Sequence, residues 1–158
     1  MVSCTTRPPR KGDAASASKG KGYIHLSREE FERQRASGAF LETAEVHGEL
    51  YGTPREPLEA LLEVGRTVAL EIDMQGARQI KEAVPDAVTI FLEPPSWEIL
   101  EARLRSRGTE DEARLRVRLA TARRELGEAE EFDHRVVSED PEGTAEEVDR
   151  ILRRVMSE

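Results

Sequence analysis

Two acids, Glu71 and Asp73, stand two residues apart at the end of an apolar run, Val68-Ala69-Leu70-Glu71-Ile72-Asp73-Met74-Gln75-Gly76. A short run rich in Val, Leu and Ile reads as a strand buried on both faces. Such strands carry their chemistry at the carboxyl end, where a crevice opens. Side chains two apart on a strand share a face. Two acids there need a positive or donor-rich partner: Mg²⁺, the N–H edge of a base, or arginines. The bland alternative is a strand end with two solvated acids.

A basic partner exists at the start of the chain, in Ser3-Cys4-Thr5-Thr6-Arg7-Pro8-Pro9-Arg10. The prolines stiffen and extend this segment, so Arg7 and Arg10 can face one way. With Ser3, Thr5 and Thr6 as hydroxyl donors they could clamp a phosphate, because guanidinium groups bind its oxygens bidentately. A disordered basic terminus is the competing reading.

Composition narrows the field. The net charge of -8 disfavours nucleic acid as a partner, so an anionic ligand would need a local arginine cluster. One cysteine, Cys4, rules out an internal disulfide framework. The three histidines, His25, His47 and His134, lack metal-ligand spacing. With no signal peptide and no long apolar run, a cytoplasmic location is the expectation, away from membranes. Lys11 to Gly22 reads as a flexible loop. Its Gly20-Lys21 pair fails the phosphate-loop pattern, because Ala15 and Gly22 stand where Gly and Ser/Thr are required.

These groups need elements to hold them. Ser27-Arg28-Glu29-Glu30 is a capping box that starts a helix running to about Gly38. Phe40 to Pro54 mixes apolar runs with glycine turns, as small antiparallel strands do. Leu58, Leu61 and Leu62 stripe a helix ending at Gly65, and another runs through Ala77, Ile80 and Ala83 to Pro85. Ala87 to Leu92 predicts a second buried strand, and Ser96 caps a helix carrying Ile99, Leu100 and Leu104. Thr109-x-x-Glu112 opens a long helix, Val136-Val137 marks a strand, and Thr144-x-x-Glu147 opens the last helix. Alternating strands and helices predict an α/β fold with a parallel sheet flanked by helices.

Taken together, several stretches resemble the guanylate kinases of the nucleoside monophosphate kinase group. They are Ser3 to Arg10, Ser27 to Phe31, Phe40-Leu41-Glu42, Tyr51-Gly52-Thr53, Glu71 to Gly76, Pro94-Pro95-Ser96 and Arg107-Gly108-Thr109, in family order over nearly the whole chain. The resemblance implies a phosphate-loop kinase fold over residues 1–158, N-terminally shortened. A small mixed α+β GMP-binding lobe would span about 7–65 and a helical lid about 103–118, with the core in 1–6, 66–102 and 119–158. The implied activity is phosphoryl transfer from ATP to GMP, giving ADP and GDP, with Mg²⁺ accompanying ATP, in purine nucleotide metabolism.

By position, Ser3, Arg7, Arg10 and Tyr51, with Tyr23 added, match the family's GMP-phosphate contacts. Glu42, Thr53 and Glu71 match its guanine contacts. Asp73 matches the acid that helps hold Mg²⁺, usually through water. Arg103, Arg107 and Arg118 match the lid arginines that act in catalysis, and without the family match they would read as solvated surface charges. Ser138 stands where the family has an Asn near the adenine, Leu50 where it has an aromatic, and Gly22 where it has an Asp.

The family's first strand and its Gly-rich loop ending in Lys-Ser/Thr precede the segment at which this sequence starts. The resemblance therefore implies an intact acceptor half beside a donor half without its ATP phosphate cradle, and slow or absent turnover. The alternatives are a non-catalytic guanylate-kinase-like module holding GMP or a protein ligand, and an inactive remnant.

Overall fold

The computed structural model describes residues 2–9, 22–46, 48–106 and 112–157. Arg10, Arg107, the predicted loop through Lys21 and the Thr109 capping box lie outside the described residues. The chain forms two compact units, Met1–Ala87 and Val88–Glu158.

The first unit is built on a four-stranded mixed sheet in the order β2-β1-β4-β3. Its strands are β1 (Val2–Thr5), β2 (Gly22–His25), β3 (Phe40–Val46) and β4 (Glu49–Pro54). β1 runs parallel to β2 and antiparallel to β4, and β3 and β4 form the predicted hairpin. Gly48 turns that hairpin with φ +84°, which an L side chain rarely adopts. Ser27 caps α1 (Arg28–Ala36) as expected, its hydroxyl accepting from the Glu30 N–H, while the Glu30 carboxylate turns to Gln34 and Arg33. α1 buries one residue, Phe31, which is fully enclosed and stacks on Phe40 with ring centroids 4.5 Å apart. Cys4, Leu50 and these two rings form the core beneath the sheet. Gly52 admits the rings there, since a Cβ would lie 3.0 Å from Phe40 and 3.1 Å from Phe31. α2 (Arg55–Glu63) follows β4 directly.

The predicted strand over 68–73 is not one. Among the described residues it joins no ladder, and Ala69 and Glu71 are exposed while Val68, Leu70 and Ile72 are half-buried. Apolar composition signals burial, but a strand is made by partners for its N–H and C=O groups. The segment instead leads into α3 (Met74–Ala83), which Asp73 caps by accepting the Gly76 N–H at 2.9 Å.

The second unit pairs β5 (Ile90–Glu93) in parallel with β6 (His134–Val137). Between them run α4 (Trp97–Ser106) and α5 (Glu112–Gly127). Ser96 caps α4 as expected, taking the Ile99 N–H at 3.3 Å. The Asp133 carboxylate closes the head of the β5–β6 ladder by accepting from the Thr89 N–H and hydroxyl, each at 2.8 Å. The last helix, α6 (Pro141–Val155), starts before the predicted Thr144 box. Asp140 is its cap, accepting from the Glu142 and Gly143 N–H groups at 2.9 Å. A carboxylate followed by proline fits the cap and first helical position, which leaves Thr144 inside the first turn. No described helix is long and apolar enough to cross a membrane.

Candidate functional site

Strand alternation gives the first unit's sheet two faces. Cys4, Leu50 and Gly52 look toward the core rings. Ser3, Thr5, Tyr51 and Thr53 belong to the other face, and the register sets Tyr23 against Ser3 and His25 against Thr5. Glu42 joins this face by an irregularity. Phe40 pairs with Pro54 but Glu42 pairs with Thr53, so Leu41 is one residue too many. Without that bulge, Phe40 and Glu42 would share a face. With it, Phe40 enters the core and Glu42 lies beside Thr53.

The acid end of the face is tightly made. Glu42 is 4% exposed, and the Thr53 hydroxyl donates to its Oε1 at 2.6 Å. α3 lays its first turn on the same carboxylate: a Cβ at Gly76 would come 2.6 Å from Glu42 Oε2. Burial pushes the Glu42 carboxyl above the usual range; the Thr53 hydroxyl pulls it down, and the negative charge of Asp73 adds to the rise. A buried carboxylate with one oxygen bonded and the other close to a helix start is an acceptor aimed at hydrogen-bond donors. Gly76→Ala should push that oxygen aside, because Glu42 is held by Thr53 and has little room. If the site takes GMP, as the resemblance implies, binding should be about tenfold weaker with the helix intact, read by calorimetry beside far-UV circular dichroism. Unchanged affinity would show the carboxylate to be mobile.

At the other end sits a cationic and aromatic group. Arg7 is 7% exposed, and its guanidinium lies over the Tyr23 ring, 5.2 Å from the centroid. Tyr23 meets Tyr51 edge-on at 5.8 Å. Arg7 Nη1 donates to the Pro8 carbonyl at 2.8 Å, which fixes the plane of the fork. Ser3, Arg7, Tyr23 and Tyr51 thus come from one sheet region.

Arg7 is held by residues whose role in doing so no spacing along the chain shows. The Thr5 hydroxyl donates to the Leu50 carbonyl at 2.9 Å and accepts the Arg7 N–H at 3.1 Å. His25 Nδ1 lies 2.7 Å from the Arg7 carbonyl, in place to donate to it. The Thr6 hydroxyl donates to Glu49 at 2.8 Å and accepts the Leu50 N–H. Thr5 and Thr6, read as donors for a ligand, spend their hydroxyls inside the protein. Backbone partners of this kind leave no spacing signal.

The remaining candidates lie on other elements. Glu71 is exposed on the stretch leading to the α3 cap. In the second unit, Arg103 donates to the Ser138 and Glu139 carbonyls at 2.9 and 2.6 Å, so it is not a freely solvated charge. Arg118 is half-buried on α5. Among the described residues no cluster of three or more His, Cys, Asp or Glu side chains could enclose a metal ion.

Comparison with known proteins places the architecture first among solved α/β kinases. The crystal structure of guanylate kinase from Anaplasma phagocytophilum matches with a TM-score of 0.79 and 40% identity, covering 97% of this chain and 73% of that one. The guanylate kinase family model matches residues 1–155. A guanylate kinase of Rubrobacter xylanophilus is 49% identical over 156 residues, which is 99% of this chain and 80% of that protein. One from Corynebacterium jeikeium is 46% identical over 154 residues, 96% of this chain and 80% of that one. The chain belongs to the guanylate kinase family.

Proposed function

We propose that this protein transfers a phosphoryl group from ATP to GMP, giving ADP and GDP, and that its first unit holds the GMP. One observation carries the reading: a single sheet face presents a buried acid–hydroxyl pair, Glu42 and Thr53, and an Arg7–Tyr23–Tyr51 cluster. Guanine presents N1–H and N2–H₂ donors on one edge, and an ionised carboxylate can only accept. Adenine lacks that pair of donors, so the acid selects against it. Glu71 would add a second acceptor. Ser3, Arg7, Arg10 and the tyrosine hydroxyls would take the phosphate, with the guanidinium fork binding two oxygens at once.

In the second unit, Arg103, Arg107 and Arg118 would meet the transferring phosphoryl group, whose charge spreads over its equatorial oxygens. Residues 103–118 then act as a lid, and 7–65 as the GMP lobe. Asp73 fits Mg²⁺ as a single contact through water: one oxygen already takes the Gly76 N–H, and magnesium keeps most of its water shell. When bound with ATP, the ion neutralises phosphate charge. A cytoplasmic setting, where both nucleotides occur, goes with this reading.

The test reads the acceptor side directly. Titration of the chain with GMP and AMP in a calorimeter should show GMP preferred by at least ~100-fold. Equal heats from AMP would sink the proposal. An ADP-release assay with GMP and Mg-ATP then separates an enzyme from a module that binds without turnover.

A further inference from the structure

Among the described residues β3 is the outer strand of the four-stranded sheet, so its edge offers N–H and C=O groups with no described strand beside them. At Thr43, the residue next to Glu42, one side chain satisfies both. The Thr43 N–H donates to Gln79 Oε1 at 3.1 Å, and Gln79 Nε2 donates to the Thr43 carbonyl at 2.8 Å. The same Nε2 donates to the Gln75 carbonyl at 3.1 Å, one turn back along α3. A primary amide carries a donor and an acceptor in one plane, as a peptide group does. Gln79 therefore stands in for one residue of a neighbouring strand and anchors α3 to the edge of β3.

The place of the anchor matters. α3 carries Gly76, whose backbone approaches Glu42 Oε2 too closely for a Cβ, and its cap Asp73, whose charge acts on Glu42. Glu42 is held on its inner side by Thr53 and approached on its outer side by the first turn of α3. The Gln79 bonds fix the distance between those two sides. They act on the peptide adjoining Glu42 and reach nothing in the Arg7 cluster.

We propose that Gln79 is a specificity-positioning residue: its amide clamp on Thr43 sets the gap between the α3 start and the Glu42 carboxylate that receives the guanine edge. The proposal rests on the guanine reading of Glu42. It predicts a defect in base discrimination with phosphate recognition left as it was.

Gln79→Met keeps the length and bulk of the side chain and removes both bonds. Gln79→Glu keeps the acceptor for the Thr43 N–H but sets a carboxylate against the Thr43 carbonyl, and serves where the Met variant does not fold. Each is titrated with GMP, with IMP, which lacks the N2 amine, and with ribose 5-phosphate as a probe of the phosphate end alone. Circular dichroism checks the fold. The expected result is a roughly tenfold fall in the GMP-to-IMP preference with ribose 5-phosphate affinity unchanged. A folded variant that keeps the wild-type preference overturns the inference alone. Parallel weakening of all three ligands also overturns it, since that marks a general structural role. A wild-type protein that does not distinguish GMP from IMP overturns the guanine reading beneath it.

Discussion

Glu42→Gln should weaken GMP binding by about 100-fold, or about 2.8 kcal/mol, while raising the unfolding midpoint of the unliganded protein. The two effects share one cause. Glu42 is almost wholly enclosed, and burial holds its carboxyl above the usual glutamate range despite the Thr53 hydroxyl. A group whose folded-state pKa is raised contributes stability below its unfolded value and loses that contribution as pH rises through the folded value. At neutral pH the ionised acid is therefore a cost to the empty protein. Glutamine keeps an oxygen for the Thr53 hydroxyl and removes the charge, but it turns N–H groups toward a base edge that also donates. The pH profile follows with the same sign. GMP affinity in the wild type should fall on acidification at a higher pH than an ordinary glutamate would give, and the variant should lack that step. Calorimetry across pH 4 to 8 with thermal melts checks both halves. A variant that binds GMP normally, or an empty protein made less stable by the change, contradicts the account.

Phe31→Ala should destabilise the first unit by about 3–5 kcal/mol, the range for emptying a fully buried aromatic site. Phe31 is the one residue that α1 buries, it stacks on Phe40, and Gly52 gives it room. No neighbouring side chain of the helix can fill the gap. The loss is a large share of a domain's total stability, so the nucleotide face on the other side of the sheet should fail with it. The chain provides separate reporters, because both tyrosines, Tyr23 and Tyr51, lie in the first unit and the single Trp97 in the second. Urea unfolding followed by tyrosine signals should shift to lower denaturant. A loss under about 1 kcal/mol would mean that the core does not depend on this ring.

Much of this candidate site is legible in the sequence. Motif positions point to Glu42, Thr53, Arg7, Tyr23 and Tyr51, and one sheet face gathers them. Ser27 and Ser96 cap helices because a hydroxyl serving a nearby N–H is local chemistry. Long-range facts left no such trace. β1 and β2 are four residues each, too short for a period, and they exist because they pair with one another and with β4. Residues 68–73 failed in the opposite way: their composition was right for a strand, and composition carries no pairing partner. At Asp140 a carboxylate with proline behind it forms the cap, which the Thr144 box alone does not predict. Gln79, Thr5 and His25 act through backbone groups of distant residues, which no spacing along the chain reveals.

The surplus residue at Leu41 makes strand length a chemical variable, much as a phase offset sets which crests of two waves coincide. Straighten the strand so that Phe40, Leu41 and Glu42 all pair in turn, and Phe40 and Glu42 can no longer occupy opposite sides: either a phenyl ring meets the nucleotide or a charge meets the aromatic core. A relative with one more residue between Thr53 and Pro54, opposite Leu41, could keep every motif intact and still have its acid out of step with its base.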